Sequence, residues 1–277
     1  MKNIFIAGLI AVSATTLLVA STVKATQSQP LEIENEMIFI PGGEFLTGSS
    51  ENEVQEYKEK FGKREMYSSH HFEDEVPKRK VFIKSFYIER HEVTNREYLR
   101  FIQASGHHPP QHWQAGMYLG GTDDHPVLFV THDDAMAYAH WAGKRLPTAE
   151  EWEKAARGTD GRVFPWGNSF DPYKTSTADS DLASILGALC SVNSANRVEI
   201  APDDVSPYGV HDMGGNVREW TSSSPKGNPS LKILKGASWV DLHVNARAAH
   251  VEYAPYNSLS HIIGFRCVKD IEGLRAL

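Results

Sequence analysis

The chain has 277 residues, of which 41% are hydrophobic and 23% charged. At this length an ordinary globular balance buries about 70–75% of the unfolded chain's surface, so the fold needs no staple. The net charge of −7, with no block of clustered Lys and Arg, argues against nucleic acid and anionic membrane as partners, because both select for concentrated positive charge.

Residues 1–25 read as a secretory signal peptide: Lys2 is the positive start, an apolar run extends from Ile4 to about Ala20, and Val23-Lys24-Ala25 supplies the small-residue cleavage site. An uncleaved anchor is the alternative, although the run carries Ser and Thr and falls short of the ~20 residues of a membrane span. No Cys stands near the cleavage site, against a lipoprotein. Cleavage would leave a periplasmic or secreted chain with no membrane insertion, in which residues 26–35 lead flexibly into a domain over 36–270 and residues 271–277 form a tail.

In the domain, "MIFIPGGEFLTGS" predicts a hairpin reversing at Pro-Gly-Gly. The charged stretch from Glu51 to Arg79 lacks a sustained apolar period and predicts a surface insertion with a short helix. "KVFIKSFYIERHEVTN" alternates as a strand with one buried face, with Val81, Ile83, Phe86 and Ile88 inward. Thr94 then caps a helix with Glu97 completing a capping box, Thr131 begins a second helix of about ten residues, and Thr148 with Glu151 caps a third that stops at Gly158. From Asp160 onward, turns, aromatics and short strands predominate. Cys190 and Cys267 are the two cysteines; in an exported chain they could form a disulfide or remain two unpaired thiols. The histidines include His70, His71, His107, His108, His112 and His140; a cluster of them on loops could bind iron, copper or zinc, but no pair sits in a recognised metal spacing with a third acid or His nearby, and single exposed side chains are the better reading.

Six blocks, "FYIERHEVTNREYLRFI", "HPVLFVTHDDAMAYAHWAGKRLPTAEEWEKAARG", "FPWGN", "SPYGVHDMGGNVREW", "LKGASW" and "GFRC", occur in the order of the formylglycine-generating enzyme (sulfatase-modifying factor) family. The chain resembles that family over about residues 36 to 270. The resemblance implies a single compact α+β domain with little regular secondary structure, a variant of the C-type lectin fold, with bound calcium.

Calcium takes hard oxygens from carboxylates, amides and carbonyls on flexible turns. "GGNVREW" offers Asn216, the carbonyl of Val217 and Glu219, and the resemblance makes this loop a calcium site; on spacing alone, a Gly-rich turn packing Trp220 into the core reads better. Asn193 is the candidate ligand of a second family site. The family's oxidase chemistry uses a cysteine pair after the "GGSW"-like motif to bind copper(I), and soft thiolates are the ligands that ion requires. Here Asp241 stands where the first of those cysteines would be, and no Cys follows until Cys267. A redox metal is therefore left unassigned. The family's closing-strand Cys pairs with a helix Cys whose place is taken by Ala139.

Asp241, His243 and Arg247 lie on the segment corresponding to the family's active groove, with Trp239 beneath, and could do acid-base work or hold a polar ligand. Solvated loop residues with Arg247 in a structural ion pair are the alternative. Arg266 reads as structural. Function then has two readings. One is a periplasmic maturation or accessory factor acting on a protein or peptide, like the cysteine-less relatives that serve pyoverdine maturation. The other is a non-catalytic binding module on the lectin-type scaffold. A true formylglycine generator ranks third.

Overall fold

The computed structural model describes residues 36–61, 72–171, 173–178 and 195–271. The signal-peptide and 26–35 segments, the tail beyond Ile271, His70, His71, Cys190 and Asn193 lie outside them. The described residues belong to one compact unit, Asn35–Leu277.

Strands β1 (Met37–Ile40) and β2 (Gly43–Thr47) do not form the expected hairpin. β1 pairs antiparallel with β4 (Phe86–Glu89), and β2 pairs antiparallel with β3 (Arg79–Ile83), so residues 37–47 and 79–89 make one bent ribbon. Pro41-Gly42 is its corner. Pro41 has no N–H to continue the ladder, and a Cβ on Gly42 would lie 2.9 Å from the Ser85 backbone nitrogen, so Gly lets the two strands pass. A local turn signal was thus a bend in a strand whose partner lies some forty positions on. Phe86 and Ile88 are buried as expected, while Val81 and Ile83 are only half-buried.

Helix α1 (Glu51–Phe61) falls in the expected insertion, which is not merely superficial: Val54 and Phe72 pack with Val244 in a small core of their own. Helices α2 (Asn95–Ser105), α3 (His132–Trp141) and α4 (Ala149–Arg157) start at Thr94, Thr131 and Thr148, each with a complete capping box. Such a cap contributes about 1 kcal/mol by satisfying amides that the first turn leaves unpaired. Gly106 and Gly158 stop α2 and α4.

The second half supplies short strands: β5 (Arg218–Trp220), β6 (Leu231–Lys235), β7 (Glu252–Pro255) and β8 (Ile263–Gly264) form a sheet in the order β7-β6-β5-β8, and β9 (Val268–Asp270) joins β4. Helices α2 and α3 pack on the four-stranded sheet through Tyr98, Phe101, Tyr138, Trp220 and Phe265, with Tyr98 and Tyr138 stacked at 5.8 Å. Helix α4 packs on the β1-β4-β9 sheet through Trp152, Ala155 and Ala156 against Ile40, Phe86, Ile88 and Val268.

Between these two cores lies an ion pair. Arg266 is fully buried and donates through Nε and Nη2 to Glu219, at 2.8–2.9 Å, while Trp152 Nε1 donates to the same carboxylate at 2.8 Å. Arg266 also donates to the carbonyls of Arg90 and His211, at 3.1 and 2.9 Å. Removing one partner of a buried pair strands the other charge in a low dielectric, at about 3–5 kcal/mol. Arg266→Met and Glu219→Gln are each expected to lose that much in urea unfolding. The double variant should lose clearly less than the sum, and additive losses would mean the two side chains are not coupled.

Candidate functional site

The segment after Trp239 places its polar groups in three different environments. Asp241 is held by Arg218, whose Nε and Nη2 donate at 2.8 and 2.6 Å, and by the amide and hydroxyl of Ser238, at 2.8 and 2.6 Å. Burial opposes its charge, but the Arg218 fork outweighs burial and holds the carboxyl below its usual range. His243 opens a short 3-10 turn and packs on Phe170 with ring centres 4.5 Å apart.

Arg247 points the other way, into the core under α1. It forms a fork with Glu75, at 2.6 and 2.7 Å, donates through Nε to the Val244 carbonyl, and lies over the Tyr57 ring at 4.1 Å. Both Arg247 and Glu75 are buried, so Arg247 takes the structural place that was its alternative. Burial by itself would raise the Glu75 carboxyl; the Arg247 charge and the bonds from His250 and Arg247 overcome it and leave it far below the ordinary carboxylate range. Asp241, His243 and Arg247 therefore do not converge on one groove.

The calcium residues meet a similar end. Glu219 is taken up by Arg266 and Trp152, and the Asn216 side chain accepts from the Asn196 amide at 2.9 Å and donates to Glu92 at 3.1 Å. Asn216 has φ 68°, and Val217 is fully buried against Leu128 and Ala195. The set Asn216, Val217 and Glu219 does not fit an ion, because the side-chain oxygens it would offer already accept hydrogen bonds. What the sequence did not reveal is a surplus of buried acid beside it. Glu92, Asp204 and Asp212 are buried around the single guanidinium of Arg266, and Glu92 Oε2 has no hydrogen-bond partner. Burial pushes the Asp212 carboxyl up to about 6, and burial with the Asp212 charge raises Glu92 well above its normal range.

A cavity of about 520 Å³ opens on the other side of Leu128 and Ala195, against which Trp239 packs. Its wall comes from the helix-free stretch between Ser105 and His132, including His112, Met117, Tyr118 and Leu119. Met117 and Leu119 are 49% and 66% exposed, and Asn95, buried at the start of α2, has an Oδ1 with no partner at this cavity. A connection this long without regular structure, rich in Gly and Pro, is the signal by which the sequence could have marked it. Size, apolar lining and an unsatisfied acceptor suit an organic or peptide ligand that brings an N–H.

Residues 22–271 match the family described as sulfatase-modifying factor enzyme 1-like domain. The chain belongs to this family. Mouse inactive C-alpha-formylglycine-generating enzyme 2 is 30% identical over 280 residues, covering 83% of this chain and 84% of that protein. The uncharacterized protein YfmG of Bacillus subtilis is 34% identical over 285 residues, covering 86% of this chain; the chain spans 55%, about half, of that relative's own length. Among solved structures, PvdO from Pseudomonas aeruginosa superposes with a TM-score of 0.63 at 23% identity, over 85% of this chain and 94% of that one, which bears out the fold.

The pairing of Glu75 fixes the acid response. A carboxyl whose native pKa lies below its unfolded value contributes stability above the unfolded value, about 4, and loses it as pH falls. In melts across pH, the gap between the wild type and Glu75→Gln should be constant above about pH 5 and shrink below about pH 4. A gap independent of pH down to 3 would mean that Glu75 is not ionised in the fold.

Proposed function

We propose that the chain is an exported accessory factor, periplasmic or secreted, that binds a protein or peptide during that partner's maturation and does so without copper-thiolate oxidation. The carrying observation is that Asp241, the hard oxygen donor that the resemblance sets where the family's first catalytic cysteine would be, is closed into a fork with Arg218 and bonded by Ser238. Cys267, the thiol among the described residues, is fully buried, and burial followed by the Glu89 charge pushes it well above its ordinary range, away from the thiolate that copper(I) and nucleophilic chemistry need. A surface suited to a partner is the cavity, where the Asn95 acceptor and the Met117 and Leu119 side chains fit an extended segment. The leader pattern of residues 1–25 supports export.

A non-catalytic binding module of the C-type-lectin kind is the second reading, favoured by the same closure of Asp241 and Arg247. The two differ in what happens to the partner: a maturation factor returns it with a changed mass, a binding module returns it unchanged.

A peptide carrying a sulfatase-type cysteine motif should return from incubation with the protein and copper(I) without an aldehyde, read by mass spectrometry. An aldehyde that persists with repurified protein overturns the loss of oxidase chemistry. A photo-reactive residue at Gln114 identifies the bound segment, and Leu119→Glu with Met117→Glu should weaken that segment's binding at least about tenfold, since each removes apolar contact worth about 1.5–3 kcal/mol. Unchanged affinity removes the cavity from this reading.

Calcium enters this reading through the buried acid surplus, not through Glu219. Glu92 Oε2 has no hydrogen bond and stands 3.9 Å from Arg266 Nη2, Asp212 adds a neighbouring charge, and a divalent cation there would relieve their mutual repulsion. An ion that binds only the folded state adds about 2.7 kcal/mol at a hundredfold excess over Kd. Melts in calcium and in chelator should therefore differ by several degrees for the wild type and coincide for Glu92→Gln; coincident wild-type melts remove calcium.

A further inference from the structure

Two histidines that read as single exposed side chains in the sequence meet one carboxylate in the fold. Gly106 closes α2 in a left-handed turn, φ 75°, and the next two residues are His107 and His108, followed by Pro109 and Pro110. The His107 ring leans on Phe101 with centres 4.9 Å apart, and the His108 ring stacks on His107 at 4.4 Å. That stacking directs both Nε2 atoms to the same oxygen. His107 Nε2 is 2.8 Å and His108 Nε2 3.2 Å from Asp134 Oδ1. Among the described residues this is the group of His, Cys, Asp and Glu side chains whose ligand atoms all converge within 4.8 Å.

We propose that His107, His108 and Asp134 form a binding site for a zinc-class divalent transition ion, with the remaining position open to water. Metal–ligand distances of about 2.0–2.1 Å in a tetrahedral shell put donor atoms about 3.3 Å apart. The two nitrogen–oxygen separations, 2.8 and 3.2 Å, lie within about half an ångström of that spacing, and all three donor atoms lie within 4.8 Å of one another. Two neutral imidazoles and one carboxylate leave a single formal negative charge, a nitrogen-rich set that suits zinc and its first-row neighbours and not calcium or magnesium.

The carboxylate is held in position from behind. Asp134 Oδ2 accepts from the Thr131 amide and hydroxyl at 2.9 and 2.7 Å as the capping box of α3, which leaves Oδ1 to face the two rings. Partners behind a ligand commonly fix its aim and raise affinity 10–100-fold. Pro109 restricts the backbone of His108, so little chain entropy remains to be lost when the second ring is captured. In the ion-free state His107 hydrogen-bonds to Asp134 and the His108 ring stands beside the same oxygen. Binding uses the Nε2 lone pair of each neutral ring, with its proton on Nδ1.

The ion would tie the end of α2 to the start of α3 and so fix the near end of the loop that continues through His112, Gln114 and Leu119 into the cavity wall. It would act there as a structural clip. The site is separate from the Trp239 segment and uses none of its residues.

The test is a competition titration of the full chain with zinc against a chromophoric chelator, repeated with cobalt(II) for its visible absorption. The wild type should take one zinc tightly and give the intense d–d bands of a four-coordinate cobalt site. His108→Ala, whose side chain is 71% exposed and whose loss leaves the fold intact, should weaken zinc at least about tenfold. His107→Gln combined with His108→Ala should abolish the cobalt bands, while His108→Ala alone keeps the wild-type melting temperature in chelator. No zinc uptake by the wild type, or uptake and cobalt bands unchanged in the double variant, overturns the assignment.

Discussion

The buried pair of Arg266 and Glu219 is the constraint around which the molecule is arranged. Two unit charges in a fully buried position face a desolvation penalty of several kcal/mol each, which a single contact does not offset. Here the guanidinium is satisfied by both carboxylate oxygens and by carbonyls from the end of β4 and the 204–216 loop, and the carboxylate by the indole of α4 as well. One interaction thus fastens the closing segment, the central strand β5, the bent ribbon and α4 to one another. In a protein with so few long elements, side-chain bonds do what long ladders do elsewhere.

The same solution recurs. Glu153 joins Arg157 and Lys235 across α4 and β6, Glu89 accepts from Lys144 and from the Cys267 amide, and Glu75 holds Arg247. Such pairs favour a particular arrangement because any other leaves a charge unpaired out of water. They also hold the segment after Trp239 in place. Asp241 has its oxygens occupied and Arg247 is turned inward, so both charges are already paired within the fold.

The parts of this fold that could be read from the sequence are those with local causes. Three capping boxes each lie within four residues, so Thr94, Thr131 and Thr148 announced their helices. The bent ribbon did not announce itself, since the partner of residues 37–47 lies across the α1 insertion and Pro-Gly-Gly marks a reversal and a corner alike. Family resemblance located the Trp239 segment, yet Glu75, the partner of Arg247, is 172 residues away. Glu219 carried the composition of a calcium ligand because a carboxylate on a Gly-rich turn looks the same whether an ion or a guanidinium faces it. The convergence of His107, His108 and Asp134 is likewise a consequence of two helices meeting, and no spacing within one helix contains it.

The order of the strands has a consequence for how the chain is made. Strand β9 lies beside β4, and β4 beside β1, so the first and last strands of the domain share one sheet. Arg266 lies two residues before β9. During synthesis the early ribbon emerges without its sheet partner and Glu219 emerges without its counter-charge. The three-stranded sheet and the Glu219 ion pair are complete only when the final segment of the domain is present. A domain of this topology completes its folding only once its last strand has been made, so its early ribbon depends longest on whatever keeps unpaired strand edges from meeting other chains.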